Sequence, residues 1–143
     1  MIKFPLEYEV FIETDAHLSS LGKAQANAQP PISCSIPVEF GGPGSGYTAE
    51  DLFALSVTNC ILSAFKCFCH KEHLTFKLVK GKSILKMNMD SNKKLFFSEI
   101  DIRLEVEEAS NVEKVKKALE EAISNCPVSN SIKIPKTLHI NVK

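Results

Sequence analysis

Thr48-Ala49-Glu50-Asp51-Leu52-Phe53-Ala54-Leu55-Ser56-Val57-Thr58-Asn59-Cys60-Ile61-Leu62-Ser63-Ala64-Phe65 is the stretch that decides how this chain folds. Thr48 is a good N-cap, Glu50 and Asp51 put negative charge in the first turn, and Thr48-x-x-Asp51 approximates a capping box. From Leu52 to Phe68 the pattern is apolar nearly all round, which predicts a helix belonging inside a fold or an interface. It carries Cys60 mid-helix and Cys67 near its end. Upstream, Gly41-Gly42-Pro43-Gly44-Ser45-Gly46 breaks regular structure.

Working outward, Leu6 to Glu13 alternates and predicts a strand, a short strand is expected around Lys23, and Ile32 to Phe40 reads as another, with Pro37 favouring an edge or an ending. Downstream, Phe76 to Asp90 and Lys94 to Glu107 predict a hairpin. In its second strand Arg103 shares a face with Glu99, Asp101, Glu105 and Glu107, so it reads as a solvated cross-strand partner to carboxylates. A second helix is expected from the capping box Ser110-x-x-Glu113, with Val112, Val115, Leu119, Ala122 and Ile123 buried. Pro127 ends it at Cys126, and Ile132 to Val142 is a last strand interrupted by Pro135. The expectation is an α+β protein, one domain over residues 1–143.

Composition narrows the functions. Seventeen basic and seventeen acidic residues balance, so no net field attracts nucleic acid or an anionic membrane. No segment reads as a signal peptide or a membrane span, which makes a cytoplasmic location the expectation. There the five cysteines are expected as reduced thiols unless catalytic or metal-bound.

Thiolate is the reactive form of cysteine, with an ordinary thiol pKa of about 8.5. Cys60 lies beyond the first turn where a helix dipole helps, and apolar burial alone would raise its pKa. It therefore needs a cation or hydrogen-bond donors from elsewhere in the fold. Cys126, placed at a helix C-terminus, is a poor first nucleophile but acceptable for condensing with an oxidised partner. Both also read as ordinary buried cysteines.

Tyr47 to Cys60, followed by Asn125-Cys126-Pro127-Val128-Ser129-Asn130, resembles the OsmC/Ohr family of osmotically inducible and organic hydroperoxide resistance proteins, over most of the chain. The resemblance implies antiparallel sheets around a buried central helix, an intertwined homodimer with sites at the subunit interface, and a thiol peroxidase acting on organic hydroperoxides without metal, haem or flavin. It matches Cys60 to the attacking thiol and Cys126 to the resolving one, with an external dithiol as reductant. Glu50 matches a glutamate that orients an activating arginine. About 15 Å of helix separates Glu50 from Cys60, so their cooperation would need the second subunit or a bridging side chain. This chain departs from the family in having sixteen lysines and one arginine, Arg103, with none in the N-terminal segment. Lys23 is the candidate substitute and His17 a weaker one, though a lysine lacks the planar fork that pairs bidentately with a carboxylate.

Two alternatives stay open. Cys67, Cys69, His70 and His73 cluster within a helix end and would suit zinc or copper, although the spacing fits no standard finger. A dimeric binding module for small apolar ligands would keep the fold without the reaction. Phe53, Phe65 and Phe68 suit an apolar peroxide or plain core, and Cys34 reads as buried and inert.

Overall fold

The computed structural model describes residues 1–143, and the chain divides into two compact units, Met1–Leu52 and Phe53–Lys143. In the first, β1 (Val10–Glu13), β2 (Gly22–Ala26) and β3 (Ile32–Cys34) form an antiparallel sheet in the order β1-β2-β3. All four residues of β1 are exposed. The strand expected from Leu6 starts only at Val10, and the one expected to Phe40 stops at Cys34. Pro37 supplies no N–H, and a 3-10 turn, Val38–Phe40, follows it. Gly42 then passes so close to Ile36 that a Cβ there would lie 1.6 Å from the Ile36 carbonyl oxygen. Only glycine fits that approach.

Helix α1 (Ala49–Lys71) starts where the capping signal places it. The Thr48 amide donates to Asp51 Oδ2 at 3.0 Å and the Asp51 amide to Thr48 Oγ1 at 3.1 Å, so both side chains satisfy otherwise orphaned donors.

The second unit packs the rest of α1 on a sheet of β4 (Leu78–Met89), β5 (Leu95–Glu107) and β6 (Lys136–Val142). β4 and β5 are the expected hairpin, antiparallel with a bulge at Lys86/Met87. β6 departs from the antiparallel expectation and joins β5 in parallel, Ile100 opposite Lys136 through Val106 opposite Val142. Parallel neighbours need a crossover. Helix α2 (Val112–Ser124) and the short α3 (Pro127–Asn130) provide it. Ser110 is not the α2 cap: Asn111 is, its Oδ1 accepting from the Lys114 amide at 2.9 Å, while Ser110 Oγ accepts from the Thr75 amide.

The core joins Val57, Ile61, Phe65 and Cys69 of α1 to Ile100, Ile102, Leu104 and Val106 of β5 and to Val115, Leu119, Ala122 and Cys126. Phe65 stacks on Phe76 with ring centroids 5.0 Å apart, and Phe53 lies 4.7 Å from Phe97. These phenylalanines are therefore packing residues. By length and hydropathy (1.7 over its most apolar window) α1 is long enough to cross a membrane, contrary to the sequence expectation, yet its buried stripe makes it a core helix. That stripe is one-sided. Leu55 is 51% exposed, so apolar surface remains uncovered on α1.

The outer face of the second sheet is an ion-pair lattice. Lys80 bonds Glu107, Lys86 pairs with Glu99, Lys143 with Glu105, and Asp101 takes both Arg103 and His139. Arg103 is solvated and carboxylate-bound, as expected, but its partner is two residues back on its own strand. These exposed pairs stabilise little, at most about 1 kcal/mol each.

Candidate active site

Cys60 and Cys126 meet. α1 presents Cys60, half-buried, beside the core, and the chain after α2 brings Cys126 to it with no exposed surface. The two thiols are close enough for Cys60 to bear on the ionisation of Cys126, and neither is in a disulfide. Removal from water and the neighbouring Cys60 side chain push the Cys126 thiol up to about 11, against smaller opposing contributions from the Ser129 and Val128 amides. Cys126 thus keeps its proton at neutral pH.

The local backbone explains how Cys126 is held. Its φ −79° and ψ 113° are extended, Pro127 follows at the first helical position, and Cys126 caps α3 by accepting the Ser129 amide at 3.2 Å. This corrects the expectation of a cysteine governed by the α2 C-terminus. Asn125 closes α2, and what suppresses ionisation of Cys126 is burial and Cys60. A polar residue followed by proline is a helix-start signal, so Cys126-Pro127 already carried this information.

Glu50 and Lys23 belong to the first unit. Glu50 sits in the first turn of α1, and its Oε2 is buried without any hydrogen-bond partner. Lys23 is exposed on β2, opposite Glu13 and Ser33, and does not satisfy that oxygen within the chain. An acceptor buried without a donor is destabilising by about 1–3 kcal/mol, more when charged.

The Cys67–His73 cluster does not converge. Cys67 is exposed and Cys69 is buried in the core, and no three His, Cys, Asp or Glu side chains are arranged to hold a metal ion. Burial raises the Cys69 thiol pKa, which keeps it protonated. Cys34 is buried at the end of β3 and lines a cavity of about 270 Å³ in the first unit, with Ile12, His17, Leu18, Ile36 and Leu52.

Sequence reasoning missed one arrangement on α1, two residues before Cys60 and on the other side of its buried stripe. Thr58, buried on α1, donates its hydroxyl to the Ala54 carbonyl at 2.8 Å and lies 2.5 Å from Ser83 Oγ on β4. Gly81, two residues before Ser83, faces the same helix. A glycine inside a strand signals close backbone approach, and that was the available clue.

An α+β fold in which a cysteine-bearing helix lies on a mixed sheet, its sulfur met by a second thiol from the crossover, defines a class of paired-thiol proteins. The chain belongs to the OsmC-like protein family, whose sequence model matches residues 42–141. Solved structures share the fold at low identity. An OsmC-like protein of unknown function from Vibrio cholerae has a TM-score of 0.83 at 14% identity, covering 95% of this chain and 99% of that one. An organic hydroperoxide resistance protein OsmC from Legionella pneumophila has 0.75 at 18%, covering 99% of each chain. The organic hydroperoxide resistance protein OhrB of Bacillus subtilis has 0.68 at 14%, covering 96% and 98%. No curated protein matches the chain.

Proposed function

We propose that the protein is a cysteine-based peroxidase reducing organic hydroperoxides, a single functional domain over residues 1–143 that works as a homodimer in the cytoplasm. The observation that carries this reading is the proximity of Cys60, packed against the core, to the buried Cys126. Family membership and the names of the Legionella and Bacillus structures agree with it.

The chemistry balances as follows. The Cys60 thiolate attacks the distal peroxide oxygen, the O–O bond breaks, and the alkoxide leaves as an alcohol after taking a proton. Cys60 is now a sulfenic acid. Cys126 attacks its sulfur, water departs, and a disulfide forms. An external dithiol returns both residues to thiols by exchange. A protonated Cys126 suits this order, because it leaves Cys60 as the first nucleophile. Glu50 and Lys23 are proposed to tune the site from the second copy, where a cation reaching the unpartnered Glu50 carboxylate would complete it.

The test treats reduced protein with one equivalent of cumene hydroperoxide, counts thiols and maps disulfides. Two of the five thiols should disappear within seconds, joined as Cys60–Cys126. Cys126→Ser should stop at a Cys60 sulfenic acid trapped by dimedone, and Cys60→Ser should leave the peroxide intact. A full thiol count after prolonged exposure would reject the reading.

A second reading, a binding module for small apolar ligands, draws support from the cavity lined by Ile12, Leu18, Ile36 and Leu52. Its signature would be saturable binding of an apolar dye, displaced by cumyl alcohol, in protein whose thiols ignore peroxide.

A further inference from the structure

Thr58 and Cys60 flank the buried stripe Val57-Ile61-Phe65 of α1 on opposite sides, since successive helical residues turn by about 100°. On the Thr58 side the helix meets β4 at a notch. A Cβ added to Gly81 would stand 2.9 Å from Thr58 Cγ2 and 3.3 Å from Leu104 Cδ2, closer than the helix allows without moving. Ser83 lies on the same face of β4, because strand side chains alternate with period two. Its Oγ is 2.5 Å from Thr58 Oγ1. The proton count settles the direction: Thr58 gives its only hydroxyl proton to Ala54 O, so Ser83 donates to Thr58.

We infer that Gly81, Ser83 and Thr58 form a positioning clamp that seats α1 on β4 at the height and rotation that brings Cys60 against Cys126. This deepens the proposed two-thiol function and rests on it. None of the three residues touches the reacting atoms. They act through the placement of the helix. Forming a disulfide demands narrow geometry, with the bonded sulfurs about 2.05 Å apart and Cα atoms within about 7 Å. The buried hydroxyl pair fixes the helix axially and the missing Cβ sets its approach to the sheet. The clamp is specific to sulfur pairing, and the intrinsic reactivity of Cys60 should not depend on it.

The experiment equilibrates reduced protein with defined glutathione and glutathione disulfide, in which one glutathione disulfide oxidises the two thiols and yields two glutathione molecules. The Cys60–Cys126 disulfide fraction gives the effective concentration of the pair. Gly81→Ala is expected to lower it at least about tenfold, since misplacement by an ångström can cost up to a hundredfold. Ser83→Ala and Thr58→Val should lower it by a smaller factor, and Thr58→Ser, which keeps the hydroxyl, should restore it. Alkylation of Cys60 by iodoacetamide in a Cys126→Ser background should stay within about twofold throughout. Val115→Ala, which destabilises the core from α2, an element that carries no clamp residue, serves as the control for lost stability and should leave the effective concentration unchanged.

An unchanged value in Gly81→Ala and Ser83→Ala overturns the clamp, as does an equal fall in Val115→Ala. Wild-type protein that forms the disulfide with glutathione but ignores hydroperoxide refutes the peroxidase reading alone, with the clamp still measured. Protein that forms it with neither reagent refutes both.

Discussion

Cys126 shows how one residue's surroundings set its chemistry. Its thiol stays protonated up to about 11, because burial and Cys60 both oppose the thiolate. A solvated cysteine, as in the unfolded chain, releases its proton at about 8.5. Folded protein therefore binds more protons than unfolded protein between these values. The stabilisation is complete below the unfolded pKa and is lost as pH rises through the folded one. The urea midpoint of reduced protein should fall between about pH 8.5 and 11, and Cys126→Ala should flatten that fall. Part of the slope should survive from Cys69, whose thiol is also raised by burial. A Cys126→Ala slope identical to wild type would contradict this account. Both cysteines were legible in the sequence as candidates, because a lone thiol inside an apolar helix and a thiol before proline are local patterns. Their contact was not legible without the resemblance, since it depends on a crossover between residues far apart in the chain.

At the level of elements, α1 and the β4–β5 hairpin could be read from periodicity and capping chemistry, and both stand where the pattern puts them. The misplaced boundaries have specific causes. Asn111 displaced Ser110 as the α2 cap because Ser110 was occupied by the Thr75 amide, a tertiary contact absent from any local window. β1 is shorter than its alternation because only Val10–Glu13 has a partner strand within the chain. Short α3 escaped notice because four residues carry no periodicity. Two stability predictions belong at this scale. Asn111→Ala removes the α2 cap and should cost about 1 kcal/mol in urea unfolding. Phe65→Ala empties a fully buried site stacked on Phe76 and should cost about 3–5 kcal/mol. A Phe65→Ala loss below about 1 kcal/mol would mean that the α1 stripe is not the core.

For the whole molecule the informative surface is apolar. Tyr8 is 86% exposed, Val10 72% and Phe11 58% in the first unit, and Leu55 is 51% and Ile84 46% in the second. Val10 and Phe11 are neighbours on one exposed strand, and the proposed homodimer would cover apolar surface of this kind. With no net charge, such an assembly should be indifferent to ionic strength. Sedimentation at roughly 0.01 and 1 M salt, where the screening length differs about tenfold, should give twice the 15.8 kDa chain mass in both. A monomer at micromolar concentration would contradict the homodimer. The parallel pairing of β6 with β5 has its own consequence for how the molecule comes of age. Cys126 rides on the crossing segment, so the sulfurs become neighbours only once that segment has closed. On the proposed chemistry, a chain still short of that segment would hold Cys60 with Cys67 and Cys69 but without Cys126, and the two-thiol reaction would await the finished fold.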